Sequence, residues 1–267
     1  SVLWRPLLRP ADVGIHATPF ASAECSAGCG PHPGLPAAAR SAADRGVLLH
    51  ALLERLDFRR PVAPAAPAIV AVAARAGLSP APGPEEAAAL AELVRRFGAS
   101  ELCGRLARAG DARREERFAF GLGDVLVTGA IDVIARESVP AQPDRTLIVD
   151  YKSDRLAGAE PELLVQRAYA TQRLVYALAA LRAGAERVEI AHCFLERPEA
   201  PVIVSFARSE QAELERELDR LAGGVLRREF TVSDAPHRGL CAGCPAEGGL
   251  CSWPLESTRR QAADRLF

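Results

Sequence analysis

Several features that would define a membrane-bound or secreted protein are missing from the sequence. Its 267 residues contain no apolar run near the ~18 residues of a membrane span. No charged start followed by an apolar stretch marks a signal peptide. These absences exclude a transmembrane or secreted protein, so we expect a cytoplasmic one. Because methionine is absent and the chain begins with Ser1, we also expect it to be a piece of a longer protein.

Neither sign of charge is in excess. Lys and Arg total 33 against 34 Asp and Glu, a net charge of -1, which excludes a uniformly basic nucleic-acid-binding protein. Lys152 is the only lysine, and every other residue in the basic count is arginine. A lone lysine suggests a position that needs a compact ammonium group rather than a guanidinium fork. The alternative is that this lysine has been retained by chance.

The chain divides into three segments by composition. Residues 1–40 are rich in Pro, Gly and Ala without a clear period and predict an irregular N-terminal arm. Residues 41–235 alternate helical and strand patterns, and residues 236–267 form a glycine- and cysteine-rich segment with a tail. The middle segment predicts an α/β core with a mixed central sheet flanked by helices. The main predicted helices are 41–58, 84–97, 100–108, 161–182 and 209–221, and the predicted strands are 118–120, 125–133, 146–151, 188–195 and 202–206.

Two neighbouring strands carry the charged residues at which we expect chemistry. Asp132 lies near the end of the first strand, and Asp150 and Lys152 end the second. Residues two apart on a strand point to the same face, so Asp150 and Lys152 project side by side. If the two strands pair as an antiparallel hairpin, Asp132 comes alongside Asp150. Two adjacent carboxylates repel each other unless a divalent cation neutralises them, and oxygen ligands suit Mg²⁺ or Mn²⁺.

Such a cation would activate water for attack on a phosphodiester, and a neighbouring ammonium could orient that water or stabilise the transition state. Such a role for the ammonium would explain why the single lysine of the sequence stands at position 152. The alternative is a surface ion pair at a strand end, the usual meaning of an isolated Asp-x-Lys. The hydrophobic strand before the triplet, together with the preceding Gly-x-x-Asp, favours chemistry.

Three further features have ordinary interpretations when taken alone. His50 lies on an otherwise apolar helix, where a histidine is usually a satisfied core residue. Glu116, next to Glu115 before a predicted strand, would be a solvated charge. Gln172 and Tyr176 are four residues apart and share one helix face, as in any helix surface.

Taken in order, these residues resemble a known family. His50, Glu116, Gly129-Ala130-Ile131-Asp132, Asp150-Tyr151-Lys152 and Gln172-x-x-x-Tyr176 resemble the RecB-like branch of the PD-(D/E)XK nuclease superfamily. The nearest likeness is to the C-terminal nuclease domain of AddA/RecB-type (UvrD-like) helicase–nucleases, and it runs from about Arg45 to the C-terminus.

The resemblance implies a restriction-endonuclease-like core in residues 41–235. It implies that His50, Asp132, Asp150 and the Tyr151 carbonyl bind Mg²⁺ or Mn²⁺, that Lys152 serves the attacking water, and that Gln172 and Tyr176 support the site, with Glu116 as a further catalytic candidate. The implied function is a DNA exonuclease on single strands, in recombination and double-strand-break repair. The implied partner is a fused or associated ATP-dependent helicase, since the sequence has no P-loop motif. The alternative is a catalytically silent DNA-binding or structural module.

The seven cysteines do not suggest disulfides in a chain without a secretion signal. Cys103 and Cys193 fall within helix and strand patterns and are predicted to be small buried hydrophobes. Cys241, Cys244 and Cys251 share a glycine-rich loop, one ligand short of tetrahedral zinc or a cubane cluster. The candidates for the fourth ligand are Cys29, Cys25 and, for zinc, His237.

This cysteine arrangement resembles that of AddB-type and other RecB-like nucleases. They have one upstream cysteine and a C-x-x-C-x(n)-C group after the core, which together hold a [4Fe–4S] cluster. Cys29 fits the upstream position better than Cys25, although Pro31-His32-Pro33-Gly34 replaces the aromatic residues expected there. The resemblance therefore implies a [4Fe–4S] cluster on Cys29, Cys241, Cys244 and Cys251, with Zn²⁺ as the alternative.

Overall fold

A computed structural model describes most of the chain. The described residues are 2–6, 40–138, 144–156, 158–227, 229, 232–242, 244, 246 and 249–261, with backbone alone for residues 2–6 and Val225. Contacts divide the chain into two units, Ser1–Leu221 and Ala222–Phe267. The domain limits drawn from composition, at 40/41 and 235/236, remain predictions.

The first unit is built on a six-stranded sheet. Its strands are β1 (Val2–Pro6), β2 (Arg113–Leu122), β3 (Val125–Glu137), β4 (Arg145–Lys152), β5 (Arg187–Phe194) and β6 (Val202–Ala207). The described helices of the chain are α1 (Ala42–Leu53), α2 (Ala66–Arg75), α3 (Pro84–Gly98), α4 (Glu101–Arg108), α5 (Pro161–Ala168), α6 (Ala170–Arg182), α7 (Gln211–Leu226), α8 (Arg238–Cys241) and α9 (Leu255–Arg259), with a short 3-10 turn at Arg208–Glu210.

The pairing of strand β3 creates the opening in which the site lies. Along one edge β3 pairs with β2, and on its other edge with β1 over 125–129 and with β4 over 133–137. Among the described strands, none pairs with residues 130–132 on this second edge. β3 and β4 are antiparallel, as predicted, whereas β4 and β5 are parallel. The predicted α/β fold with a mixed sheet is confirmed.

The two faces of the sheet pack against different helices. Val149 and Tyr151 of β4 join the buried side chains of α1–α4 in one core. Ile148 joins Tyr176 and Ala177 of α6 in another. Because side chains alternate along a strand, Asp150 and Lys152 lie on the same face of β4 as Ile148, toward α6.

Two predicted elements differ from the observed ones. The single helix predicted over 161–182 is two helices, α5 and α6, because the backbone of Tyr169 departs from helical geometry (φ -116°, ψ 8°). The prediction that residues 1–40 are irregular is wrong for Val2–Pro6, which pair with the edge of β3 that β4 leaves free. This pairing joins residues more than a hundred positions apart, so no local pattern in the sequence predicts it. No helix in the described part of the chain is long and apolar enough to cross a membrane.

Candidate active site

The predicted site residues meet around a cavity of about 520 Å³ where β3 and β4 separate. Walls come from α1, β2, β3, β4 and α6. The predicted residues that line it are His50, Asp132, Asp150, Tyr151, Lys152, Gln172 and Tyr176. The geometry thus brings together every predicted metal ligand and catalytic residue of the first unit except Glu116.

Asp132 stands where the ladder between β3 and β4 ends. The last backbone pair is Val133 with Val149, and beyond it Asp132 Oδ2 accepts the Tyr151 N–H at 2.7 Å. The carboxylate thereby satisfies a backbone donor that the strand leaves unpaired. Its Oδ1 lies 3.5 Å from His50 Nδ1, and His50 Nε2 lies 3.1 Å from the Tyr151 carbonyl oxygen. Burial lowers the pKa of His50, but Asp132 outweighs it and holds that pKa above its usual value.

Glu115 joins this group through a distortion of strand β2. It has a positive φ of 48°, which is uncommon outside glycine. It faces Asp132 between the regular pairs formed by Arg114 and Glu116. Ligand atoms of His50, Glu115 and Asp132 all lie within 4.8 Å of one another. Burial and the Asp132 charge raise the pKa of Glu115.

Glu116, which the sequence analysis placed in the site, lies elsewhere. Its carboxylate pairs with Arg113, and it lines a separate surface cavity with Phe118 and Ile131. Glu116 keeps its regular pair with Ile131 and points away from the cavity that Glu115 lines, so we correct the assignment from Glu116 to Glu115. Two adjacent glutamates were the only signal in the sequence, and their backbone angles could not be deduced from it.

The second half of the site is a hydrogen-bonded chain that starts at Asp150. Lys152 Nζ lies 2.7 Å from Asp150 Oδ2 and donates to Gln172 Oε1 at 2.7 Å. Gln172 Nε2 donates to Asp150 Oδ1 at 3.3 Å and to the Tyr176 hydroxyl at 3.0 Å. Tyr176 in turn donates to the Ala130 carbonyl at 2.9 Å, on the stretch of β3 between its pairings with β1 and β4. The amide of Gln172 thus fixes both the carboxylate and the ammonium.

Negative charge exceeds positive charge in this cavity. Burial and the neighbouring Asp132 raise the pKa of Asp150 to about 6, although Lys152 counteracts them. His192 lies fully buried 3.9 Å from Asp150, but burial lowers its pKa to about 4, so it contributes no charge near neutrality. Five carboxylates, those of Glu54, Glu115, Asp132, Asp150 and Asp154, therefore line the cavity with one ammonium and the histidine His50.

The donor set fits a hard divalent cation. Carboxylate oxygens, a carbonyl oxygen and an imidazole nitrogen are ligands that Mg²⁺ and Mn²⁺ accept, and no thiol takes part. Burial and repulsion from Asp132 raise the pKa values of Asp150 and Glu115, and a cation of charge two would offset both effects by favouring the ionised carboxylates. Asp132 and Asp150 line the same cavity, and the charge of Asp132 acts on Asp150. Asp150 is not part of the close group of His50, Glu115 and Asp132, so the binding of one ion by both aspartates stays a prediction.

The cysteines fall into two groups. Cys103 and Cys193 are buried in the core, as predicted, and burial raises the pKa of the Cys103 thiol to about 11. In the second unit Cys241 and Cys251 are half-buried and Cys244 is exposed, all as free thiols. The Cys244 N–H donates to the Cys241 carbonyl at 3.0 Å. Among the described residues these three thiols do not form a close ligand group, and Cys25 and Cys29 lie outside those residues.

Comparisons with known proteins identify the family. The profile of the PD-(D/E)XK nuclease superfamily matches residues 25–248, so the chain belongs to that superfamily. A comparison with curated protein sequences gives no match.

Among solved structures, the chain is similar to a proposed exonuclease from Eubacterium rectale, with 12% identity, a TM-score of 0.43, and 72% of this chain and 70% of the other covered. It is also similar to SSO0001, with 17% identity, a TM-score of 0.30, and 61% and 64% covered.

Proposed function

We propose that this protein is a metal-dependent deoxyribonuclease that hydrolyses phosphodiester bonds. The observation that carries the proposal is the excess of carboxylates in one cavity beside the only lysine of a chain from a nuclease superfamily. A purely structural cluster would be expected to balance its charges, because unpaired buried charge is costly.

Each residue has a role that follows from its contacts. His50, Glu115, Asp132, Asp150 and the Tyr151 carbonyl would hold Mg²⁺ or Mn²⁺. When bound, such an ion lowers the pKa of a water ligand and offsets charge on the phosphate. Lys152, held by Asp150 and Gln172, keeps a further N–H group that could hydrogen-bond to the attacking water, to orient it, or to a phosphate oxygen, to stabilise its charge. Gln172 holds the Asp150 carboxylate and the Lys152 ammonium in position, and Tyr176 holds Gln172.

We further propose a single-stranded DNA substrate, degraded from an end in recombination and double-strand-break repair in the cytoplasm. Net charge near zero provides little long-range attraction for DNA, which supports delivery by a partner. The only lysine lies in Asp150-Tyr151-Lys152 and not in a P-loop, which supports an ATP-dependent helicase, fused or associated, as that partner.

Cleavage of labelled single-stranded DNA with Mg²⁺ or Mn²⁺ tests the activity. The wild type should cut, and Asp150→Ala and Lys152→Ala should lose cutting while keeping the thermal unfolding transition of a folded protein. Linear and circular strands compared side by side distinguish an exonuclease, which spares the circle, from an endonuclease. Cutting that persists in both variants would refute the site, and a folded wild type without cutting would favour the DNA-binding module.

We also propose that Cys29, Cys241, Cys244 and Cys251 hold a [4Fe–4S] cluster, with zinc as the alternative. Three thiols within eleven residues of a glycine-rich segment support it. Anaerobically purified protein should be brown and contain iron, and Cys244→Ala should lose both. Cys103→Ala, a buried cysteine in the other unit, is the control and should keep them. Stoichiometric zinc without iron would overturn the cluster.

A further inference from the structure

Tyr169 lies beside the catalytic lysine, although neither the sequence motifs nor the proposed mechanism uses it. It occupies the break between α5 and α6 and lines the cavity. Lys152 Nζ stands 3.6 Å from the centre of its ring. At that distance the negative face of an aromatic ring attracts an ammonium group.

The ring is fixed by contacts on several sides. The Tyr169 hydroxyl donates to Asp154 Oδ2 at 2.8 Å. The ring stacks on His192, with centroids 6.2 Å apart and an angle of 28° between planes. Tyr169 also packs against the buried cluster of Leu156, Val165 and Phe194. A ring held in this way offers Lys152 a surface of fixed position.

The ammonium group is nearly desolvated, since the Lys152 side chain is 8% exposed. Its contacts are the Asp150 carboxylate, the Gln172 amide oxygen and the Tyr169 ring. Asp150 and Gln172 also contact each other and are parts of one polar network, so the ring is the independent support. A lysine side chain has four rotatable bonds and loses much entropy on being held, and a fixed ring face reduces the number of positions it can take.

We propose that Tyr169 is a positioning residue that holds Lys152 by its ring face rather than by its hydroxyl. The effect on cleavage rests on the proposed nuclease function, whereas the effect on Lys152 itself does not. Tyr169→Phe keeps the ring and Tyr169→Leu removes it. Leucine can still pack against Leu156, Val165 and Phe194, so the second change preserves most of the apolar contact.

The single lysine makes a direct measurement possible. In protein labelled with isotopic lysine, NMR should show one lysine side chain, with its terminal CH₂ shifted upfield by the ring and with nuclear Overhauser contacts to tyrosine ring protons. Tyr169→Phe should keep the upfield shift and Tyr169→Leu should lose it. A wild-type signal without upfield shift and ring contacts overturns the proposal even if neither variant folds, as does a folded Tyr169→Leu protein that retains the shift.

Cleavage kinetics provide the second readout. Tyr169→Leu should lower kcat about tenfold with little change in KM, and Tyr169→Phe should restore kcat. Phe120→Leu is the matched control, because Phe120 lies beneath Arg182 at 5.0 Å outside the catalytic cavity, and it should change neither kcat nor the lysine signal. A fall in kcat that is equal for the Phe and Leu variants overturns the role of the ring face. A wild type that fails to cut refutes the nuclease proposal and leaves the NMR result to decide about Tyr169.

Discussion

Two clusters of partly buried charge lie at opposite ends of strand β4, and they are built differently. At its start, Arg105 and Arg145 alternate with Glu137 and Glu189, with ion-pair distances of 2.6 to 2.8 Å. This network is neutral. At its end, five carboxylates line one cavity with a single ammonium and the histidine His50.

The carboxylate pKa values respond in opposite directions in the two clusters. Burial raises the pKa of Glu137, but hydrogen bonds from Arg105 and Arg145 outweigh it and lower the net value. At the other end, burial and Asp132 prevail over Lys152, and the pKa of Asp150 is raised to about 6. Burial alone therefore does not distinguish a structural cluster from a functional one. The charge balance does, and a surplus of carboxylates indicates a place for a cation.

The largest effect should come from Lys152→Arg, which keeps the charge but changes its shape. The space around Nζ is bounded by Asp150, Gln172 and Tyr169, and a planar guanidinium does not fit the position of a compact ammonium. We expect DNA cleavage to fall at least about 100-fold, with the fold retained. Single-turnover cleavage with circular dichroism checks this, and activity near the wild-type level would show that any positive charge is sufficient.

In the neutral network, Glu137→Gln should lower the free energy of unfolding and leave DNA cleavage unchanged. Removing one partner leaves two guanidinium groups underpaired, at a cost of about 3 kcal/mol at pH 7. Because the folded pKa of Glu137 lies below its usual 4.5, its contribution is present above that pH and is lost as pH falls through the lowered value. Urea unfolding of both proteins across this range measures the difference, which should shrink in acid. A loss of cleavage in the folded variant would contradict the separation of the two clusters.

Glu115 and Glu116 form a natural matched pair. Glu115→Gln should raise the Mg²⁺ concentration needed for half-maximal cleavage about 10- to 100-fold, because it removes one carboxylate from the group with His50 and Asp132. Glu116→Gln alters only a surface ion pair with Arg113 and should leave cleavage unchanged. Titration of cleavage rate with Mg²⁺ compares them, and the reverse ranking would restore the assignment made from sequence.

The smallest effect should come from Tyr176→Phe. The change removes the hydroxyl that connects Gln172 to the Ala130 carbonyl, and with it two partly buried hydrogen bonds, at a cost of about 1 kcal/mol. We expect a several-fold loss of kcat with an unchanged Mg²⁺ requirement, measured by steady-state kinetics. A loss as large as that of Lys152→Arg would mean that Tyr176 acts directly on the substrate.

Local patterns in the sequence were sufficient to predict much of the fold. The period of two in β4 put Asp150 and Lys152 on one face, and the approach of Asp132 depended on an antiparallel pair with β3, which is confirmed. Helical spacing put Gln172 and Tyr176 on one face, but their place in the site came only from the resemblance to a nuclease family. Periodicity is displayed directly by the sequence, whereas the meeting of distant residues is not.

Other features depend on backbone angles and long-range pairing. Glu115 enters the cavity with a positive φ. A glutamate in the sequence gives no indication of that backbone angle. Tyr169 ends α5 with non-helical angles, yet an alanine-rich sequence around it favours a continuous helix. The pairing of β1 with β3 joins residues more than a hundred positions apart, and the partner edge is defined only in the folded sheet.

Calorimetric titration of the metal-free protein with Mn²⁺ tests the central claim most directly, because it depends neither on a DNA substrate nor on a partner. The wild type and Glu137→Gln should bind Mn²⁺ with the same affinity, and Asp132→Asn should lose that binding while remaining folded. A wild type that binds no Mn²⁺, or an Asp132→Asn protein that binds it equally well, would contradict the account.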